Sequence, residues 1–375
     1  MPETDQAAAL VRSARRVLVV RTDDLGDNII SASFATSLAA TITGEVGLVA
    51  NDAAVGLIPI EGVGFVAGID FRPRRPSDVP RAGRELASAI RSFRPEVVVT
   101  PRFDFEREAL GVGLGLSLTR HLATWVTSTT PKRRLRSWWL GAFGGPRLEA
   151  RAAPLHEQDR LAYFARWLGL AKEAAMPRLR ETVLETALSE SLDSPTSPLA
   201  VLHIGAAQPR RLWPANRFAS VAELLAKKGY LAVLVGGKAE RHLGEEVLSA
   251  LGEGHGVENR VGEFSLAQVA ALLGRASLFV GNDSGLGHLS AAVGTPTITI
   301  SCHPIGAPPE HVNAPERYRP RIRPSAVCRP MQPRTPSCAH GCRSRRKPCC
   351  VLGVSTAEVA SAIEAIERQL APRPQ

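Results

Sequence analysis

Short apolar runs alternate along the chain with longer segments whose apolar residues recur at helical spacing. In the first half, Arg16–Val20 is such a run, and a Gly-Asp turn at Gly26 and Asp27 leads into a helical stretch that ends near Ala40. Short apolar runs bounded by turns are typical of buried parallel strands. The alternation of strands with helices therefore predicts an α/β fold built on doubly wound parallel sheets.

The same pattern divides the chain into two successive α/β halves. Ser189–Pro198 is rich in proline and serine and is interpreted as the linker between them. In the first half the further predicted elements are strands Glu45–Ala50, Val63–Ala67 and Glu96–Thr100, and helices Arg81–Phe93 and His156–Leu170.

The second half begins with a strand at Leu199–His203 and is expected to end its sheet at Pro296–Ser301. Ser265 stands three residues before Gln268, which predicts a capping box, and Thr356 is the expected cap of the terminal helix. The other predicted elements are strands Leu231–Val235 and Ser277–Val280 and helices Asn216–Lys228, Glu240–Leu251, Ser265–Leu273 and Thr356–Gln369.

Composition narrows the classes of partner. The 375 residues carry a formal charge of +10, which favours anionic partners such as phosphates, nucleic acid or an acidic membrane surface. No stretch approaches the roughly 20 apolar residues that a membrane span needs. The N-terminus lacks the features of a signal peptide, so a cytoplasmic location is expected. Pro131–Arg151 combines arginines with Trp138 and Trp139, which fits either a solvated loop beside a packed helix or a contact surface for an anionic acceptor or membrane.

Five of the six cysteines lie close together near the C-terminus. In a reducing compartment such a cluster is either a set of free thiols or a metal site, and only Cys338 and Cys342 have the spacing of a zinc knuckle. The remaining members of the cluster are Cys328, Cys349 and Cys350. The sixth cysteine, Cys302, lies outside the cluster and is expected to be a small core residue.

A first candidate site is the turn after the first strand, which contains Asp23, Asp24, Gly26 and Asp27. Ligands of open α/β sheets bind at the carboxyl ends of strands, so this turn lies where a site is expected. A carboxylate beside a sugar hydroxyl can act as a general base. Asp27 can equally be the N-cap of the following helix. The dinucleotide fingerprint G-x-G-x-x-G is absent.

Two further candidate turns lie in the second half. His203-Ile-Gly-Ala-Ala207 ends a strand with a glycine that lets backbone amides approach a phosphate, and Arg210 or Arg211 follows to neutralise it. Gly281–His288 joins a strand to the start of a helix, where amides and the helix dipole attract anions. Either turn can instead be an ordinary surface connection, and His288 can be a packing residue.

In order and spacing, these segments resemble glycosyltransferase family 9, the ADP-heptose:lipopolysaccharide heptosyltransferases. The resemblance rests on Leu25-Gly26-Asp27, Arg211-Leu-Trp213-Pro214 and Gly281–Leu289, together with Arg217–Glu223 and Gly236-Gly237 followed by Glu240-Arg241. It implies an α/β GT-B fold with two Rossmann-like domains facing a cleft: an acceptor domain over 1–190, a donor domain over 191–354, and a terminal helix over 355–375 that packs back on the first domain.

The resemblance also implies the roles of individual residues. Asp27 would be the general base, and Arg211 would contact the donor diphosphate where the family usually has lysine. The acceptor side would include Asp23, Asp24 and Gly26. The nucleotide sugar would be bound by Gly205, Ala206, Glu240 near the ribose, Phe264 near the adenine, Asp283 on the heptose hydroxyls, Ser284, Gly285 and His288.

The implied reaction is an inverting, metal-independent transfer of heptose from ADP-heptose, with no cofactor, to a hydroxyl or amine of lipopolysaccharide core or of a secondary metabolite. The chain departs from the family pattern at Asp23 and Asp24, at Ile204 in place of proline, and at Cys302-His303-Pro304-Ile305. The additional carboxylates suit a cationic acceptor. Two alternatives stay open: a different nucleotide sugar as donor, and a non-catalytic, basic nucleic-acid-binding protein.

Overall fold

The chain divides into two compact units, residues 1–180 and 181–375. The computed structural model describes residues 3–70, 78–101, 120–125, 147–149, 155–181, 197–252, 256–309, 311, 314–334 and 347–371. The division falls ten residues before the predicted boundary at 190. Most of the predicted linker and nearly all of the basic, tryptophan-bearing stretch Pro131–Arg151 lie outside the described residues.

The first unit contains a six-stranded parallel sheet in the order β3-β2-β1-β4-β5-β6. Its core forms where α5 packs its apolar side, including Leu86 and Ile90, against Leu18 of β1 and Val98 of β4. The described elements are β1 (Arg16–Arg21), β2 (Glu45–Ala50), β3 (Val63–Gly68), β4 (Val97–Thr100), β5 (Arg120–Trp125), β6 (Arg147–Glu149), α1 (Glu3–Ser13), α2 (Leu25–Ile30), α3 (Phe34–Ala39), α4 (Asp52–Val55), α5 (Asp78–Phe93) and α6 (Glu157–Trp167).

The second unit repeats this topology with strands in the order β12-β11-β10-β7-β8-β9, all parallel. The central strands β7 and β8 are almost wholly apolar, as strands covered by helices on both faces must be. The described elements are β7 (Leu199–His203), β8 (Leu231–Val235), β9 (Val257–Asn259), β10 (Leu278–Asn282), β11 (Thr297–Ile300), β12 (Ser325–Cys328), α7 (Ala215–Lys227), α8 (Arg241–Leu251), α9 (Leu266–Arg275), α10 (Gly285–Ala292), α11 (Pro315–Tyr318) and α12 (Thr356–Leu370).

In each sheet the direction in which successive strands are added changes once. The change falls between the neighbouring strands β1 and β4 in the first sheet and between β7 and β10 in the second. Such a reversal opens a crevice at the carboxyl ends of the two strands, where α/β proteins bind ligands. The candidate turn containing Asp27 follows β1, and the two candidate turns of the second half follow β7 and β10. The topology therefore places all three turns at the switch point of their own sheet.

Three details of the second unit test the sequence interpretation. The capping box of Ser265 with Gln268 is confirmed. The cap of the terminal helix is Ser355, which forms a capping box with Glu358, so the assignment to Thr356 was wrong. The sheet does not end at β11, because β12 adds a further edge strand. The prolines that flank β12, Pro324 and Pro330, hid it, since proline usually interrupts a strand.

The terminal helix α12 buries Val359, Ile363 and Ile366 in the core of the second unit. Its predicted packing on the first domain stays a prediction. Among the helices that the structure describes, none is long and apolar enough to cross a membrane.

Candidate functional site

The switch point of the first sheet is organised around a buried guanidinium. Arg21, the last residue of β1, is only 4% exposed, and its Nε lies 2.9 Å from Asp23 Oδ1. The Nη2 atom lies 3.3 Å from Asp27 Oδ1 and 3.7 Å from Glu157 Oε1, and Nη1 donates to the Pro101 carbonyl that follows β4. The burial of a charge is favourable only when paired groups compensate its desolvation, which the three carboxylates do here.

Two asparagines fix the backbone of this turn. The Asn28 amide donates to the carbonyls of Asp23 and Asp24 at 3.1 and 3.0 Å, and its Oδ1 accepts from the Asn51 backbone. The Asn51 amide also donates to the Asp23 carbonyl, at 2.9 Å. Because these bonds hold the turn at several points, the carboxylates after β1 are presented on a fixed backbone.

The acidic residues of the turn have different surroundings. Asp24 is the N-cap of α2, although its side chain makes no capping hydrogen bond, and Asp27 lies inside the first turn of that helix. Asp27 is therefore not the cap, and its side chain remains 21% exposed, against 7% for Asp23. Gly26 is buried in the same helix. The Asp27 carboxylate is therefore partly exposed and lies beside a fixed cation, Arg21.

Asn282 joins the two turns at the switch point of the second sheet. Its side-chain amide is fully buried and donates to the carbonyls of Ile204 and Gly205 at 2.9 and 3.1 Å. Its Oδ1 accepts from the Trp213 backbone at 3.1 Å. The Trp213 indole is anchored in turn on the Val354 carbonyl. Asn282 and Trp213 therefore act as structural residues that hold the turns after β7 and β10 together.

Arg211 lies beside Asp283 at this switch point. The Arg211 Nη1 atom donates to the Asp283 carbonyl at 3.0 Å, and Nε lies 3.7 Å from Asp283 Oδ2. Both side chains are about a fifth exposed. The pair brings a cation from the turn after β7 to the start of α10, where the helix dipole adds positive potential. This arrangement can bind an anion.

Ser284 and His203 form a direct contact across the switch point. Ser284 is the N-cap of α10, but its hydroxyl makes no bond to the helix and lies 3.0 Å from His203 Nδ1. Burial lowers the pKa of the His203 imidazole below its usual range, although the nearby Glu240 carboxylate raises that pKa. His203 is therefore neutral near pH 7.

Glu240 and Gly205 are packed against each other. The Glu240 carboxylate accepts from the Gly237 amide at 2.7 Å, and a Cβ atom at Gly205 would collide with that carboxylate. The glycine after β7 is therefore needed for the close approach of Glu240. Ala206 follows in the same turn, Gly285 and His288 lie in the first turns of α10, and Phe264 is half-buried in the loop between β9 and α9.

The sequence placed Arg21, His203 and Asn282 within the candidate turns but assigned them no role, and it did not indicate Glu157 at all. Arg21 and His203 end strands as the final residue of an apolar run, and Asn282 ends β10. Their polarity at such positions is the signal that could have identified them. Glu157 could not have been found in this way, because its contact with Arg21 joins segments 136 residues apart in sequence.

The cysteines in the described part of the chain are mostly buried thiols. Cys302, Cys328 and Cys350 belong to the core of the second unit, and Cys349 packs against it. Burial, with a smaller contribution from Glu358, raises the pKa of Cys328 to about 12. Within the described ranges no group of three His, Cys, Asp or Glu side chains is placed to hold a metal ion. Cys338 and Cys342 lie outside those ranges.

Each unit thus contains a doubly wound sheet, and at the second switch point Arg211 lies beside the start of α10. Residues 146–303 match the model of glycosyltransferase family 9 (heptosyltransferase). The lipooligosaccharide heptosyltransferase 2 of Haemophilus influenzae is 35% identical over 94 residues, 24% of this chain and 27% of that protein. The lipopolysaccharide heptosyltransferase 2 of Escherichia coli is 34% identical over 94 residues, with the same shares. The chain is therefore similar to glycosyltransferase family 9 over residues 146–303, and its matched segment spans about a quarter of the length of these curated relatives.

Solved structures extend the likeness to nearly the whole chain. The ADP-heptose lipopolysaccharide heptosyltransferase II of E. coli superposes with a TM-score of 0.65 at 20% identity, over 95% of this chain and 99% of that one. An E. coli heptosyltransferase solved with ADP gives 0.63 at 22% identity, over 93% and 99%. The iron-containing dodecameric glycosyltransferase TibC of E. coli gives 0.55 at 16% identity, over 96% and 78%. These likenesses confirm the predicted α/β fold of GT-B type with two Rossmann-like domains.

Proposed function

We propose that the protein is an inverting, metal-independent glycosyltransferase that moves heptose from ADP-heptose to an acceptor hydroxyl or amine. The observation that carries the proposal is the pairing of Arg211 with the start of α10 at the switch point of the second sheet. A fixed cation and helix amides are the groups that stabilise a departing diphosphate. The relatives named as heptosyltransferases support heptose as the transferred sugar, although the curated ones align over only 27% of their length.

In the proposed reaction Asp27 accepts the proton of the acceptor hydroxyl while the acceptor oxygen forms a bond to the anomeric carbon. The bond from that carbon to the diphosphate breaks, and ADP leaves with the electron pair. Arg211 and the amides at the start of α10 neutralise the charge that develops on ADP. Asp283 binds heptose hydroxyls, Glu240 the ribose, and Phe264 the adenine; Gly205, Ala206, Ser284, Gly285 and His288 complete the donor site.

The acceptor site is proposed to include Asp24, Gly26 and Asp27. Asp23 contributes less negative charge than the sequence alone indicates, because its carboxylate is only 7% exposed and is paired with Arg21. The negative charge available to a cationic acceptor is correspondingly smaller. The acceptor is thus proposed as a hydroxyl- or amine-bearing glycan or small molecule, reached in the cytoplasm or at the membrane surface.

A donor screen by thermal shift tests the proposal, because a ligand that binds the folded protein raises its melting temperature. The panel contains ADP, ADP-heptose, UDP, GDP and a UDP-hexose, followed by calorimetry on any ligand that raises the melting temperature. We expect the largest increase with ADP-heptose. A response confined to a uridine or guanosine nucleotide would replace the donor and keep the reaction class. No nucleotide response, with oligonucleotide binding that weakens steeply in salt, would favour a nucleic-acid-binding protein instead.

A further inference from the structure

The hydroxyl of Ser284 is not used in the usual way for a serine at the start of a helix. A serine N-cap normally accepts a hydrogen bond from an amide of the first helical turn. Here Ser284 has the extended backbone of an N-cap, with φ −152° and ψ 173°, but no such bond forms, and its Oγ lies 3.0 Å from His203 Nδ1. The Gly287 amide bonds to the Ser284 carbonyl instead. The Ser284 side chain therefore accepts from none of the amides in the first turn of α10.

His203 is well suited to hold that hydroxyl in place. It is the last residue of β7, it is 5% exposed, and its backbone is in register with Gly281 of β10. A Cβ atom at Gly281 would lie 3.0 Å from the His203 Cβ, so the glycine leaves room for the histidine at this point. A buried side chain on a central strand is a more rigid support than one on a loop.

The charge state of His203 fixes how the contact works. A neutral imidazole has one nitrogen that donates and one that accepts, and burial lowers the pKa of His203 so that this form prevails near pH 7. When the Ser284 hydroxyl donates its proton to an anion, Ser284 Oγ can still accept a bond from Nδ1–H. The tautomer protonated on Nδ1 therefore allows both bonds at once.

We propose that His203 is a positioning residue for the donor diphosphate, which holds the Ser284 hydroxyl off the helix amides and directs its proton toward the phosphate oxygens. This inference rests on the proposed function, since it takes a nucleoside diphosphate as the ligand. It adds a residue that does not itself contact the donor. Its effect is transmitted through Ser284, so the two residues must act as one unit.

A double-mutant cycle on ADP affinity, measured by calorimetry, tests this coupling. His203→Leu removes the contact and is expected to weaken ADP binding about five-fold, the effect of one hydrogen bond. His203→Asn keeps a polar group near the Nδ1 position and is expected to retain most of the affinity. The double variant His203→Leu/Ser284→Ala is expected to bind ADP no more weakly than Ser284→Ala alone. Unchanged affinity in His203→Leu, or losses that multiply in the double variant, would overturn the proposal.

The control is Thr297→Val, which removes another buried side-chain hydrogen bond of α10, Ser290 Oγ to Thr297 Oγ1 at 2.8 Å, together with the bond from Thr297 to the Thr295 carbonyl, at the amino end of β11. We expect it to lower the melting temperature without changing ADP affinity. If His203→Leu does not fold, His203→Gln replaces it. The glutamine amide is polar, but it does not lie at the Nδ1 position from which His203 contacts Ser284. The ADP affinity of His203→Gln must then be lower than that of His203→Asn.

Wild-type protein that binds neither ADP nor pyrophosphate would overturn both the proposed function and this inference. Wild-type protein that binds ADP, with His203→Leu equally tight, would overturn this inference alone.

Discussion

At the carboxyl end of β1 the chain buries a guanidinium among carboxylates, whereas at the carboxyl end of β7 it buries a neutral imidazole beside a serine. Both positions are the final residue of a central strand, next to the switch point of a sheet with the same strand order. In the first unit Arg21 balances Asp23, Asp27 and Glu157. In the second, Arg211 and Asp283 pair with about a fifth of each side chain exposed.

The difference shows how one topology supports two kinds of chemistry. At the first switch point, Asp27 is the most exposed of the three carboxylates that contact Arg21, which suits proton transfer on a rigid support. The second keeps its central histidine neutral and its cation near solvent, which suits a ligand that brings its own negative charge. Substitutions at either switch point test this division between the two sites.

The largest effect is expected from Asp27→Asn, which removes the proposed base. Turnover should fall by about 10² to 10⁴-fold, the range for loss of a general base, while ADP affinity stays unchanged. The variant should fold, because Arg21 keeps Asp23 and Glu157 as partners. Initial rates with ADP-heptose and calorimetry with ADP measure the two quantities.

Asp52→Asn is the matched control, since Asp52 begins α4 in the same unit and is exposed. It should retain the wild-type rate. Turnover of Asp27→Asn close to wild type would refute the base assignment and, with it, the division of roles between the two switch points.

The second effect concerns stability. Arg21→Leu removes the buried cation that contacts three carboxylates and should lower the free energy of unfolding by about 3 kcal/mol, the lower end for breaking a buried pair. Arg211→Leu breaks a longer, partly exposed pair and should cost less than about 1 kcal/mol. Urea unfolding followed by circular dichroism compares the two variants. Equal losses would mean that the two arginines serve the same structural purpose.

Much of this contrast between the two switch points could be predicted from the sequence, and there is a physical reason why the rest could not. Local patterns located β1, β7 and β10 and their turns, because each is a short apolar run that ends at a polar residue. The pairing of Arg21 with Glu157 and of His203 with Ser284 depends on which strands become neighbours, which no local pattern contains. For the same reason Asp23 was read as an acceptor carboxylate before its buried partner was visible.

The third effect is on nucleotide binding. Arg211→Ala should weaken ADP affinity by at least about ten-fold, the effect of one hydrogen bond to a charged group, without the loss of stability expected for Arg21→Leu. Calorimetry with ADP measures it, and Arg368→Ala serves as a control, because Arg368 pairs with Glu364 on the exposed side of α12. Unchanged ADP affinity in Arg211→Ala would mean that Arg211 is not the cation that binds the diphosphate at the second switch point.

The smallest effect is expected from a chelator. If Arg211 and the start of α10 neutralise the departing diphosphate, excess EDTA should leave the initial rate with ADP-heptose unchanged, because the positive charge then comes from the chain itself. A rate that falls with EDTA and returns with Mg²⁺ would assign that charge to a metal ion at the diphosphate. A rate restored by iron or zinc alone, and lost permanently in Cys338→Ala, would instead identify the C-terminal cysteines as ligands. Either result would mean that the second switch point does not neutralise its ligand with Arg211 and α10 alone.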